Sequence, residues 1–133
     1  MIKNIYNLGD AALYCDFGDT VNKETNLKVI NYFNDIRKKN ITGIKNIAPS
    51  YNKLIIYFDL ELTNYKKIKD TVENLDISTF EAAITKLVKI PVCFDDEFAL
   101  DLERVEKKVG LGKKEIVNQL ISQKYFCYMT GFI

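Results

Sequence analysis

The side chains able to do chemistry in this chain are defined first by an absence: there is no histidine. His-based triads, Cys–His dyads, HExxH zinc sites and His–carboxylate metal sites are therefore impossible within it. Acid–base or nucleophilic work would fall to Asp, Glu, Lys, Tyr or Cys. Gly110-Leu111-Gly112-Lys113-Lys114 invites a phosphate-loop reading. That loop needs GxxxxGK[ST], because backbone amides wrap the phosphates and a hydroxyl reaches the magnesium ion. Lys107 stands at the first glycine and Lys114 at the hydroxyl, so the run reads as a helix–helix junction. Asp95-Asp96-Glu97 lacks the DxDxDG spacing of a calcium loop and reads as a solvated turn. Lys66, Lys67 and Lys69 are interleaved with Asp70 and Glu73, as on a solvated helix face. Tyr125, Phe126, Tyr128 and Phe132 at strand spacing read as core or interface aromatics rather than a stacking platform. Cys15, Cys93 and Cys127 are odd in number, widely spaced and without a CxxC, which argues against a disulfide framework or a zinc site. Each lies in an apolar run and reads as a small buried hydrophobe in a reducing compartment. Residue chemistry alone discloses no reaction and no metal site.

The bulk properties bound the rest. The chain has 133 residues, which is one domain or two very small ones. With 47% hydrophobic and 28% charged residues it is globular in composition. Nineteen basic residues face 18 acidic ones, for a net charge of +1. A nucleic-acid partner needs a surplus of positive charge to displace counterions, and none is present overall. Of the basic residues only Arg37 and Arg104 are arginine; the others are lysine. The N-terminus lacks a signal-peptide run, and no apolar stretch approaches the ~20 residues of a membrane span. The expectation is a cytoplasmic chain with neither a nucleic-acid nor a membrane partner.

The elements that must position these residues follow from periodicity. Ile2–Leu8 and Ala11–Phe17 are strand-like runs separated by Gly9-Asp10, a hairpin pattern. Asn22 is placed to cap a helix that carries Glu24 in its first turn and ends at Lys38-Lys39-Asn40. Its apolar stripe reads as Leu27, Ile30, Phe33 and either Ile36 or Arg37. Ile41–Ala48 is a further strand, broken by Pro49-Ser50. Leu54–Phe58, almost wholly apolar, is a strand either covered on both faces or central in a sheet. A second helix presents Tyr65, Ile68, Val72 and Leu75 on one face. The expected fold class is α+β: an N-terminal two-layer sandwich over residues 1–84, with a four-stranded sheet and two helices. Ser78-Thr79-Phe80-Glu81 reads as the opening of a short helical turn at the boundary. Residues 85–133 begin a second pattern: a strand from Leu87 to Phe94 interrupted by Pro91, a helix led by Asp101 and ended at Gly110, a helix over Gly112–Gln123, and a strand-like run from Tyr125 to Ile133. Two strands and two helices are too little for an independent second core. The last run is therefore expected either to pack on the first domain or on another chain, or, if it belongs to a longer structure cut short, to expose apolar surface from Tyr125 to Ile133.

Gly9-Asp10-Ala11-Ala12-Leu13 with Asp16-Phe17-Gly18-Asp19 resembles the opening of the KipI family, also called allophanate hydrolase subunit 1 or the 5-oxoprolinase B-type chain (PxpB). Ile47–Asp59 resembles that family's proline-x-tyrosine stretch leading into an "LLVxYD" strand. Ile90-Pro91-Val92-Cys93-Phe94 resembles its "IPVCY", and Asp101-Leu102-Glu103-Arg104-Val105 its "PDLEEV". Gly110-Leu111 resembles its "TGL", and Glu115-Ile116-Val117 the "EEV" helix that follows. Tyr125–Phe132 resembles "YxVYMLGF". The blocks run in order along the whole chain. Ala99-Leu100 departs from the family's usual Gly-Pro, and Ile121 stands where many members carry histidine. Family chains continue past this point into "PGFxYL" and the rest of a cyclophilin-like β-barrel, so the resemblance implies a complete first domain and only the start of a carboxyltransferase-type second one. It further implies a subunit that is not catalytic alone. Some members serve an ATP-dependent 5-oxoprolinase that opens 5-oxoproline to glutamate; others are described as allophanate hydrolase subunits. The implied partners are a sister cyclophilin-like protein (KipA, the C-type 5-oxoprolinase subunit) together with an A-type 5-oxoprolinase subunit; ATP is used by the complex, with no cofactor bound by this chain. The alternative is a regulatory protein that inhibits a sensor histidine kinase. No catalytic residue carries across. Tyr128, Gly131 and Phe132, where the barrel pocket would begin, are the binding candidates.

Overall fold

The computed structural model describes residues 1–77 and 86–131. Four strands form one antiparallel sheet: β1 (Asn4–Asn7), β2 (Ala12–Asp16), β3 (Ile44–Pro49) and β4 (Lys53–Phe58), in the order β1-β2-β4-β3. Two helices cover it, α1 (Lys23–Lys39) over β3 and β4, and α2 (Tyr65–Glu73) over β2. This is the expected α+β sandwich.

The register explains the core. Leu13 pairs with Ile56 and Cys15 with Leu54, so these four share one face. The period-2 alternation of a strand then puts Phe58 beside them. On that face Leu13, Cys15, Leu54, Ile56 and Phe58 meet Val29, Tyr32 and Ile36 of α1 and Ile68 and Val72 of α2, all buried. The opposite face carries Tyr6, Tyr14, Ile55 and Tyr57, of which Tyr6 and Tyr57 are exposed. β4 is thus apolar because it is central, and only one of its faces is covered. Pro49 falls at the end of β3, an edge strand, where a missing N–H costs no ladder bond. Gly43 precedes β3 with φ +90, and a Cβ there would lie 2.6 Å from Thr63 Cγ2. Only glycine meets both demands.

The helix ends follow capping chemistry. The Asn22 side chain accepts from Thr25 N–H at 2.8 Å, and Asn64 serves α2 in the same way through Lys67 N–H at 3.0 Å. The buried line of α1 differs from the expected stripe. It runs Asn26, Val29, Tyr32 and Ile36, with Phe33 packed at its margin, while Leu27 and Ile30 are half-buried. Steps of three residues drift around a helix of 3.6 residues per turn, so Leu27 falls well away from the line that Ile36 completes. Asn26 and Tyr32 turn inward instead, because each can bury its body once its polar end is bonded.

The chain divides into two compact units, Met1–Ile84 with Cys127–Ile133, and Thr85–Phe126. The second contains α3 (Leu102–Val109), closed by Gly110 at φ 71, and α4 (Lys113–Ser122). Glu115 Oε2 accepts from Gly112 N–H at 3.1 Å at the start of α4, so the Gly110–Lys114 run is the helix junction. Neither the strand expected at 87–94 nor that from Tyr125 onward is paired among the described residues. A strand is a ladder and needs a partner edge, and no described segment supplies one. Leu87, Ile90 and Leu100 are accordingly 68%, 76% and 86% exposed. α3 has no buried residue and α4 has only Ile116. The helical turn expected from Ser78 lies outside the described residues.

Candidate functional site

Asn26 stands one turn into α1, with its backbone N–H on Asn22 O at 3.0 Å. Its side chain points into the sheet side of the helix and is 2% exposed. The amide donates to three main-chain carbonyls: Ser50 at 3.1 Å, Tyr51 at 2.9 Å and Tyr128 at 3.0 Å. A primary amide has two N–H bonds, so one hydrogen is shared between two acceptors. Ser50 and Tyr51 form the turn between β3 and β4, closed by Ser50 N–H on Lys53 O at 2.9 Å. Tyr128 lies 102 residues away in sequence. Its ring leans on that of Tyr51 with centroids 5.8 Å apart and planes at 37°. The Ser50 hydroxyl reaches Met129 Sδ at 3.5 Å, and the Cys127 thiol donates to Met129 O at 3.3 Å. One buried amide, one ring pair and one hydroxyl–thioether contact thus seat residues 127–129 against the hairpin turn.

A second polar knot adjoins the first. The Asp16 carboxylate accepts from Gly18 N–H at 2.7 Å and from the Lys53 ammonium. Lys53 Nζ also donates to Gly18 O at 2.8 Å, and the buried Asn52 amide donates to the same oxygen at 2.6 Å. Phe17 N–H on Asn52 O at 3.1 Å closes the knot. Hydrogen bonding from Lys53, then from Gly18 N–H, holds the Asp16 carboxyl below the usual carboxylate range. Burial works against the Lys53 ammonium, but its bond and charge pairing with Asp16 more than offset this and raise its pKa. Both groups therefore stay ionised across the neutral range.

These knots hold backbone rather than activate a group. Burial pushes the Cys15 thiol up to about 12, which leaves it a small hydrophobe and no nucleophile. Cys93 and Cys127 differ from that expectation, since both are exposed. Each lies on a segment that has no strand partner among the described residues. Asp96 of the acidic turn takes the Lys113 ammonium, which holds its carboxyl low. Among the described residues no three His, Cys, Asp or Glu side chains converge as metal ligands.

Of the three binding candidates, Tyr128 is half-buried at the Asn26 centre. Gly131 is exposed at φ +94, where a Cβ would meet nothing within 4 Å, so its backbone angle and not crowding favours glycine there. Phe132 lies outside the described residues. The structure also brings together three separated sequence blocks: Asp16–Gly18, Ser50–Lys53 and Cys127–Met129. The residue that joins the last two is Asn26, which sequence reasoning passed over. Its signal is a short polar side chain one turn into the helix, directly before the apolar pattern that opens at Leu27, where such residues compete with the helix unless bonded elsewhere.

The family described as carboxyltransferase domain, subdomain C and D, matches residues 3–133. The chain is 27% identical over 140 residues to the B subunit of 5-oxoprolinase from Bacillus subtilis (strain 168). That match covers 96% of the chain but 58% of the relative's length. Among solved structures, TTHA0988 superposes with a TM-score of 0.67 at 22% identity, over 82% of this chain and 21% of that one. The conserved uncharacterized protein PH0987 from Pyrococcus horikoshii gives a TM-score of 0.52 at 26% identity, over 86% of this chain and 53% of its own.

Proposed function

We propose, from the premise that this chain belongs to the carboxyltransferase domain, subdomain C and D, family, that it serves as a non-autonomous subunit of an ATP-dependent 5-oxoprolinase-like complex. The observation that carries the reading is the similarity to a 5-oxoprolinase B subunit along 96% of the chain. The site chemistry supports it. Among the described residues no nucleophile sits beside a base, and the ionised pair Asp16–Lys53 is spent on holding a turn. On this reading the chain contributes shape and contact to the complex.

The reaction in question opens a five-membered lactam to a free amine and a carboxylate, with ATP hydrolysis driving it. ATP and the substrate would be met by the assembled complex, in which a sister cyclophilin-like protein of the C type and an A-type protein join this chain. Within this chain Tyr128, Gly131 and Phe132 are the proposed binding contacts. The support for Tyr128 is its anchoring: the buried Asn26 amide holds its main-chain carbonyl and the Tyr51 ring lies against its own, so the side chain is presented at a defined place.

The test is reconstitution. The chain is co-expressed with C-type and A-type 5-oxoprolinase subunits, and 5-oxoproline-dependent ATP hydrolysis is followed in the purified assembly. The expected result is co-elution of the three chains, with turnover that disappears when this chain is omitted. Full turnover by the other two alone, or failure of this chain to join them, would overturn the reading.

A further inference from the structure

Residues 87–94, within the second unit, read Leu-Val-Lys-Ile-Pro-Val-Cys-Phe. The even positions Val88, Ile90, Val92 and Phe94 are all apolar, while the odd ones include Lys89 and Pro91. In an extended chain this alternation puts the four apolar side chains on one face. That face is open: Leu87, Val88, Ile90 and Val92 are each at least 62% exposed, and only Phe94 is half-buried. The backbone is open too. Among the described residues, no N–H or C=O of residues 87–94 bonds to another main-chain group. An unpaired edge beside an apolar face is a template for strand addition. The two ends of the segment carry opposite charge, with Lys86 and Lys89 at the start and Asp95-Asp96-Glu97 after it. Asp96 already holds Lys113, whereas neither Lys89 nor Asp95 is in an ion pair among the described residues.

We infer that this segment is a self-association surface, on which a second copy of the chain pairs antiparallel about a two-fold axis at Val92. Charge sets the direction. A parallel pair would put Lys89 beside Lys89 and acid beside acid, whereas an antiparallel pair brings the basic end of one copy to the acidic end of the other. The apolar pattern sets the register, because the four apolar residues meet their counterparts only when even positions oppose even ones. Centring on Val92 puts Ile90 opposite Phe94 on the apolar face and Lys89 opposite Asp95 on the other, and the two-fold repeats each contact. The same register accommodates Pro91. With Val92 in a hydrogen-bonded pair, Pro91 falls in the non-hydrogen-bonded pair opposite Cys93, and its missing N–H points away from the partner. The occupant is a second copy because the segment complements itself in both charge and apolar pattern. The inference stands apart from the proposed function, since it uses no residue of the Asn26 centre.

The experiment follows the full chain alone by analytical ultracentrifugation under reducing conditions. One strand pair is a small interface, in the class below about 1,200 Å², so the mass is expected to double gradually over roughly 1–500 µM. Lys89→Glu, at an exposed position, reverses two exposed ion pairs at once and should weaken association about tenfold. Adding Asp95→Lys to that variant should restore it, which a loss of folding could not do. Across the axis the two Cys93 residues are diagonal neighbours, about 7–8 Å apart, within reach of a short bis-maleimide. Crosslinked dimer is therefore expected from Cys127→Ser and not from Cys93→Ser. A chain that stays monomeric over the whole range, a dimer indifferent to Lys89→Glu, no rescue by Asp95→Lys, or crosslinking that depends on Cys127 in place of Cys93 would overturn the inference. So would a segment that binds only a C-type or A-type subunit and never a second copy.

Discussion

Replacing Asn26 by leucine tests the central polar contact of the fold. Leucine keeps the branching at Cγ but is bulkier, so the change removes the amide and also crowds a site that is 2% exposed. Three carbonyls lose their donor: Ser50, Tyr51 and Tyr128. Each hydrogen bond is worth about 0.5–1.5 kcal/mol net, and a buried acceptor left unpaired costs about 1–3 kcal/mol. The three acceptors share two N–H bonds, and the turn carbonyls of Ser50 and Tyr51 lie near the surface, where water can replace part of what is lost. The expected loss is therefore about 2–4 kcal/mol, below the sum of three full penalties. Asn26→Asp keeps the shape and turns a donor into an acceptor against three oxygens, and should cost more than the leucine. Urea unfolding followed by far-UV circular dichroism measures the stability. Amide hydrogen exchange reads the local effect, with residues 127–131 expected to exchange faster relative to β2 and β4. A leucine variant within about 0.5 kcal/mol of the parent, the range of an ordinary surface change, with unaltered exchange at 127–131, would refute the reasoning.

The Asp16–Lys53 pair makes a pH prediction whose sign follows from its two shifts. The lowered Asp16 value means that its stabilisation is present above the unfolded carboxyl value, about 3.9, and is lost as pH falls through the folded one; the raised Lys53 value means that its share is present below about 10.4 and is lost as pH rises through the folded value. Asp16→Asn should flatten the acid limb of a stability–pH curve measured by thermal unfolding, and a curve identical to the parent's would count against the pair. With a thiol reagent under native conditions, Cys93 and Cys127 should react promptly and Cys15 only on unfolding; a fast third thiol would contradict the burial of Cys15.

The first half of the architecture was legible because its signals are local. The cap at Asn22, the Gly9-Asp10 turn and the apolar Leu54–Phe58 run each express a backbone or burial preference within a few residues; the cap at Asn64 carries the same signal and sequence reasoning passed over it. α1 was legible in extent but not in facing. Leu27 and Ile30 look like core by residue type, while Asn26 and Tyr32 occupy it, because a polar atom becomes buriable only when a partner is brought to it. The cysteines divide for a similar reason. All three sit in apolar runs, yet only the one in a paired central strand is covered.

By itself, the sequence determined the α+β class, the family and the exclusion of histidine chemistry, since these depend on which residues exist and on their order. The tertiary structure alone decided that Asp16, Ser50–Lys53 and Tyr128 share one place, and that Asn26 joins two of those segments. The physical reason is that hydrogen bonds and ion pairs act within about 3–4 Å, while the residues that meet here lie up to 102 positions apart in the chain.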